Sequence, residues 1–134
     1  MKLSDLGSYF EGKISAETLK DEISSEINEY RKLIEAEKDV IPIYCEGNQE
    51  VKVSRTSFSK ILNDYLNGSF DETSLRYLCE ILSFEQNGIL IFDQKVREGV
   101  QILSEPKINF PITKSLVQKI EEWLRSNGSN FIYP

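Results

Sequence analysis

The chain has no histidine in its 134 residues. That removes the commonest general base, the usual catalytic triads and most catalytic zinc sites. Cysteine is scarce: Cys45 and Cys79 are too few for a zinc cluster, and their apolar flanks, "PIYCE" and "RYLCEIL", suit buried free thiols. No apolar run approaches the roughly 20 residues of a membrane helix. The opening "MKLSDLGSYFEGK" carries Asp5 and Glu11 where a signal peptide needs an unbroken apolar stretch. We therefore expect a cytoplasmic chain with reduced thiols. No glycine-rich phosphate loop is present, neither G-x-G-x-x-G nor the Walker pattern. Positive charge is also short, with 16 Lys and Arg against 22 Asp and Glu and a net charge of -6. This argues against nucleic acid as a ligand and makes a basic partner the more natural one. Solubility alone would also account for such a charge.

What the chain has in plenty is helix punctuation. "LGSYFEGKISAETL", from Leu6 to Leu19, is nearly repeated by "LNDYLNGSFDETSL", from Leu62 to Leu75. Each copy runs from a helix-compatible stretch to a glycine that closes it. An apolar residue follows (Ile14 or Phe70), then a capping residue (Ser15 or Asp71), and Leu19 or Leu75 stands at hydrophobic-staple spacing. Each unit, near 6–23 and 62–79, predicts two helices joined by a tight corner.

From Ala16 onward Leu19, Ile23, Ile27, Tyr30 and Ile34 recur at intervals of three and four, the stripe of one long amphipathic helix. The segment 41–53 breaks that pattern: Ile41, Ile43 and Cys45 alternate, "EGNQ" offers a turn, and Val51 and Val53 alternate again. It reads as a short β-hairpin leaning on the helical body or as an ordered excursion between helices. Further helices are expected from Thr56 or Ser57 to Gly68, from Asp71 until "EQNG", from Asp93 through "QKVREGVQILSE", and from Thr113 to Gly128. "ILIF" reads as a buried turn or a helix end, and the aromatic tail "SNFIYP" should dock on the body. The expected fold is mainly α: one domain over 1–134, a bundle of about six helices with a β-hairpin at 41–53.

Carboxylate pairs are the remaining candidates for chemistry. Asp71 with Glu72 and Glu121 with Glu122 are adjacent in helices, where neighbours point to different sectors. Asp71 already serves as a cap, and Glu121 and Glu122 fall outside the inner face formed by Leu116, Ile120, Trp123 and Leu124. No catalytic residue, metal ligand or cofactor is expected.

The stretches "TSFSKILNDYLNGSFDETSLRYLCEIL" and "VREGVQILSEPKINFPITKSLVQKIEEWL", with their "YLNG" corner and "LSEP-KIN-PIT" link, resemble small helical bacterial immunity proteins of secreted toxin systems, colicin-like or contact-dependent. "LGSYFEGKISAETLKDEI" is similar to colicin-type immunity proteins, and "VQKIEEWLRSNG" to the last helix of nuclease-colicin immunity proteins, whose compact length this chain does not share. The resemblance implies a non-enzymatic protein that binds and inhibits a cognate toxin, covering its active site or locking beside it. The acidic surface would speed encounter with a basic toxin and a few buried aromatics would retain it. The candidate contacts are Tyr44, Glu46 and Glu50 around the expected hairpin, and Asp71, Glu72, Glu85 and Asp93 near helix starts and turns. Each has a plainer role open to it, Asp71 and Asp93 as caps, the glutamates as solvated charge, Tyr44 as core. The competing expectation is a helical adaptor or assembly protein, self-associating as a homodimer through "GILIF" and "NFIYP". A small enzyme using carboxylates is the third.

Overall fold

Five helix starts among the described residues are set by side chains that accept from open amides two or three residues on. In the computed structural model, which describes residues 1–37, 43, 45–85, 88–105, 111–128 and 130–131, α1 spans Leu3–Phe10, α2 Ala16–Glu22 and α3 Ser24–Glu35. They are followed by β1 (Val51–Lys52), α4 (Arg55–Leu66), α5 (Glu72–Ser83), β2 (Ile89–Leu90), α6 (Gln94–Ser104) and α7 (Lys114–Arg125). Ser15 Oγ accepts from Thr18 N at 3.1 Å, Asp71 Oδ1 from Ser74 N at 2.8 Å and Thr113 Oγ1 from Leu116 N at 3.1 Å. Asp93 Oδ1 takes both Lys95 N and Val96 N. The cap of α4 is Ser54, slightly earlier than the sequence pattern placed it.

The described residues carry seven helices, one more than expected, because the long stripe from Ala16 is two helices. Ile23 ends α2 and begins α3 at φ -106° and ψ 11°. Its side chain is buried, and the Ser24 hydroxyl donates back to the Asp21 carbonyl at 3.0 Å. A serine that bonds the preceding turn competes with the helix ladder and bends the chain there.

The two repeated corners pack on each other. Gly12 and Gly68 both adopt left-handed φ, +76° and +91°, to close α1 and α4. The Tyr9 ring lies 5.7 Å from that of Phe70, and its hydroxyl donates to Asp64. Lys60 Nζ reaches back to the Tyr9 carbonyl at 2.6 Å, and Ser69 Oγ donates to Glu17. The repetition therefore yields two similar corners that share one interface.

The hairpin expected at 41–53 does not form as read. Residues 41, 42 and 44 lie outside the described residues, but the second arm pairs elsewhere. Val51 and Lys52 run parallel to Ile89 and Leu90, with Val51 N donating to Gly88 O at 2.8 Å and Val53 N to Leu90 O at 2.9 Å. The residues before β1 pair with the chain start instead, Leu3 N with Glu46 O and Glu46 N with Met1 O. The first half of "ILIF" is thus a strand, Ile89–Leu90, with Ile89 and Ile91 in the core. Gly88 turns into it at φ +92°, where a Cβ would stand 2.8 Å from Leu3 Cδ1 and 2.9 Å from the Gln49 carbonyl. Only glycine fits both the backbone angle and the close approach.

Around this small sheet α5 packs chiefly on α6 and α4 on α7. Phe58, Ile61, Leu62, Leu75, Leu78, Leu82, Val96, Leu103, Leu116 and Ile120 fill one continuous core. Gly99, inside α6, lets that helix rest on Phe58, whose Cε2 would be 2.7 Å from any added Cβ. Phe131 docks on Trp123 at 5.3 Å between ring centroids, as expected of an aromatic tail. Among the described residues no helix is long and apolar enough to cross a membrane.

Candidate functional site

Two short parallel strands present one face to the core and one to solvent, because successive side chains alternate. Val51, Val53, Ile89 and Ile91 point inward. Glu50, Lys52, Leu90 and Phe92 fall on the outer side, with Lys52 and Leu90 in register. Phe92 is 72% exposed, and Phe84, the C-cap of α5 on the turn leading towards β2, is 43% exposed. They are the exposed large hydrophobics among the described residues. Lys52 Nζ stands 5.5 Å from the centre of the Phe92 ring, a cation–π contact that restrains the exposed ring.

Ion pairs brace this end of the molecule. Arg97 Nη2 donates to Glu85 Oε1 at 2.8 Å and to the Ile91 carbonyl at 2.6 Å, joining the end of α5 to β2 and α6. Arg55 Nε donates to Asp93 Oδ2 at 2.6 Å while its Nη1 reaches the Leu124 carbonyl at 3.2 Å. Beside it the buried Lys95 ammonium caps the end of α7, donating to the carbonyls of Trp123 and Ser126, each at 2.8 Å. Burial alone would raise the Asp93 carboxyl, but the Arg55 guanidinium and the backbone amides of Val96 and Lys95 hold it below the ordinary aspartate value.

Four of the residues singled out from the sequence gather here. Glu46 pairs with the chain start beside Gly88, Glu50 precedes β1, Glu85 ends the α5 turn and Asp93 opens α6. Glu46 and Glu50 are exposed and make no ion pair among the described residues. Asp71 and Glu72 lie at the opposite end of α5 and do not join them. There Asp71 caps the helix and faces Arg31 at 3.4 Å. Desolvation works against its charge, yet the bonds from Ser74 and the nearby Lys20 and Arg31 keep its carboxyl low. Tyr44 lies outside the described residues.

Sequence reasoning offered "GILIF" as a surface without singling out Phe92 within it, and missed Phe84 and Lys52. The signal was present in the alternation of "ILIF", which as a strand must turn Phe92 outward once Ile89 and Ile91 turn in. It also misjudged Glu121, expected on the solvated side of α7. Glu121 is 7% exposed, accepts Ser59 Oγ at 3.1 Å and holds Arg125 through both carboxylate oxygens. Those donors keep its carboxyl low despite burial. Its role is to tie α7 to α4.

Comparison with protein-family models, with curated proteins and with solved structures returned no significant match.

Proposed function

We propose that this chain is a non-enzymatic binding protein of the toxin-neutralising kind, which holds a basic protein partner on the face carrying Phe92. The observation that carries the reading is a phenylalanine left in water at 72% exposure just beyond β2, two residues from the half-buried Leu90. Burying such a ring removes a large apolar area from water, and a few anchoring side chains supply most of the retained affinity at protein interfaces. Glu46 and Glu50, which make no ion pair among the described residues, and the net charge of -6 favour encounter with a positively charged surface. The immunity-protein resemblance of the helical stretches supports the same conclusion. Self-association through "GILIF" is weaker, because Ile89 and Ile91 are already spent on the chain's own core.

The test compares the wild-type chain with Phe92→Asp as baits in lysates of the native cells. Wild type should retain one basic protein at stoichiometric level, whose expression alone arrests growth and whose toxicity the wild-type chain relieves. Phe92→Asp should melt as wild type does, bind that protein roughly thirtyfold more weakly, as for an interface hot spot, and lose protection. Equal protection by Phe92→Asp, or recovery only of further copies of this chain, would overturn the reading.

A further inference from the structure

Between α3 and α5 lies a pocket of about 460 Å³ whose walls include Glu26, Glu29, Tyr30, Leu33, Ile43 and Tyr77. Its aromatic part is formed by Tyr30 and Tyr77, both buried, with ring centroids 5.3 Å apart and planes at 68°. Leu33 and Ile43 add half-buried aliphatic surface. Glu26 and Glu29 stand one turn apart on α3, and no Lys or Arg lines the pocket among the described residues.

The chemistry of these walls selects against most occupants. Glu29, whose neighbour Glu26 is already paired with the Met1 ammonium, disfavours anions, and its carboxylate would leave a wholly apolar ligand beside a charge it cannot satisfy. An organic cation on an aliphatic stem satisfies both surfaces. Its stem lies on Leu33 and Ile43 and its charge meets Glu29, beside the Tyr30 ring that already takes the Arg76 guanidinium at 5.9 Å. The structure already holds one such pairing. Glu26 Oε1 accepts from Tyr77 Oη at 3.0 Å and pairs with the ammonium of Met1. Glu29, exposed and without an ion pair among the described residues, is left to receive a second cation. A pocket of this volume is within the range that encloses a small ligand.

We propose that this pocket takes the cationic end of an arginine or lysine side chain from the bound partner. The inference rests on the reading of a basic protein partner and adds a second anchor point, built on α3 and α5 rather than on the segment that carries Phe92.

The experiment titrates the full chain with Nα-acetyl-arginine methylamide and Nα-acetyl-lysine methylamide while following the Leu33 and Ile43 methyl resonances by NMR. The citrulline analogue of the arginine probe serves as the neutral isostere. Saturable shifts with a cationic probe, absent with citrulline, are expected. Glu29→Gln, a surface change that leaves the Glu26 contacts intact, should weaken the response about fivefold, as for a partly exposed charge pair. It should also speed release of the recovered partner. No shift with either cationic probe, an equal response to citrulline, or unchanged partner release from Glu29→Gln would overturn the proposal. The probe titration contains no partner, so its failure leaves the Phe92 face standing. Retention of the partner by Phe92→Asp would instead remove that face and leave the probe result intact.

Discussion

Replacing Lys95 by methionine should destabilise the fold by about 2 kcal/mol, in the range measured for hydrogen bonds to charged groups. Lys95 is 8% exposed, and its ammonium is spent on the last turn of α7: Trp123 O and Ser126 O at 2.8 Å, Ser126 Oγ at 3.4 Å, and the Trp123 ring at 5.3 Å. Methionine keeps the length and apolar stem but donates nothing. The losses are not equal at the two carbonyls. Trp123 O still accepts from Ser126 N at 3.1 Å and Ser126 Oγ at 2.8 Å, so its satisfaction survives. Ser126 O loses its ammonium donor. Relief of the cost of burying an ammonium offsets part of the loss, which is why the expected figure is that of one charged hydrogen bond, about 2 kcal/mol, rather than two. The assay is urea unfolding followed by fluorescence of Trp123, the single tryptophan of the chain and the residue directly beneath Lys95. The midpoint should fall with the m-value unchanged. Thermal unfolding should shift down by roughly 8 °C for a domain of this size. A loss below about 0.5 kcal/mol, the range of ordinary surface substitutions, would show that the ammonium does not hold α7 in place.

Two further outcomes follow from the same geometry. Gly88→Ala must place a Cβ under 3 Å from Leu3 and the Gln49 carbonyl at φ +92°, whereas Gly12→Ala meets nothing within 4 Å at φ +76°. Calorimetric melting should show Gly12→Ala losing about 1 kcal/mol for the backbone angle alone, with Gly88→Ala losing several times as much. Asp93 has a folded pKa held below its unfolded value of about 3.9, so its pairing stabilises the chain above that pH and is lost as pH falls through the folded value. Asp93→Asn, which keeps the cap, should cost under about 1 kcal/mol at pH 7, as for a partly exposed pair. Its stability should converge with wild type under acid conditions below both values. A difference that persists or grows in acid would show that the Arg55 pairing is not its source.

The helix starts were legible because capping is local chemistry. Ser15, Asp71, Asp93 and Thr113 each accept from an amide two or three residues on, so a short window of sequence contains both partners. The glycines that close α1 and α4 were legible for the same reason. Burial of Leu19, Phe58, Leu75, Val100 and Ile120 followed from helical periodicity. The candidate face was only partly legible. Glu46, Glu50, Glu85 and Asp93 were chosen as turn and cap residues, with no means of knowing that one sheet would gather them while leaving Asp71 and Glu72 at the far end of α5.

By itself, the sequence determined a mainly helical chain, where most of its helices begin and end, which stripes face inward, and that two similar corners occur. Tertiary structure alone decided that Val51 pairs with Ile89 rather than with a hairpin arm, that the stripe from Ala16 breaks at Ile23, and that Glu121 is drawn inside by Ser59 and Arg125. It also left Phe92 in water. A cap and its amide meet in any conformation that starts the helix, so their pairing is written locally. A strand accepts any edge of matching register, and which edge reaches it depends on how the rest of the chain packs.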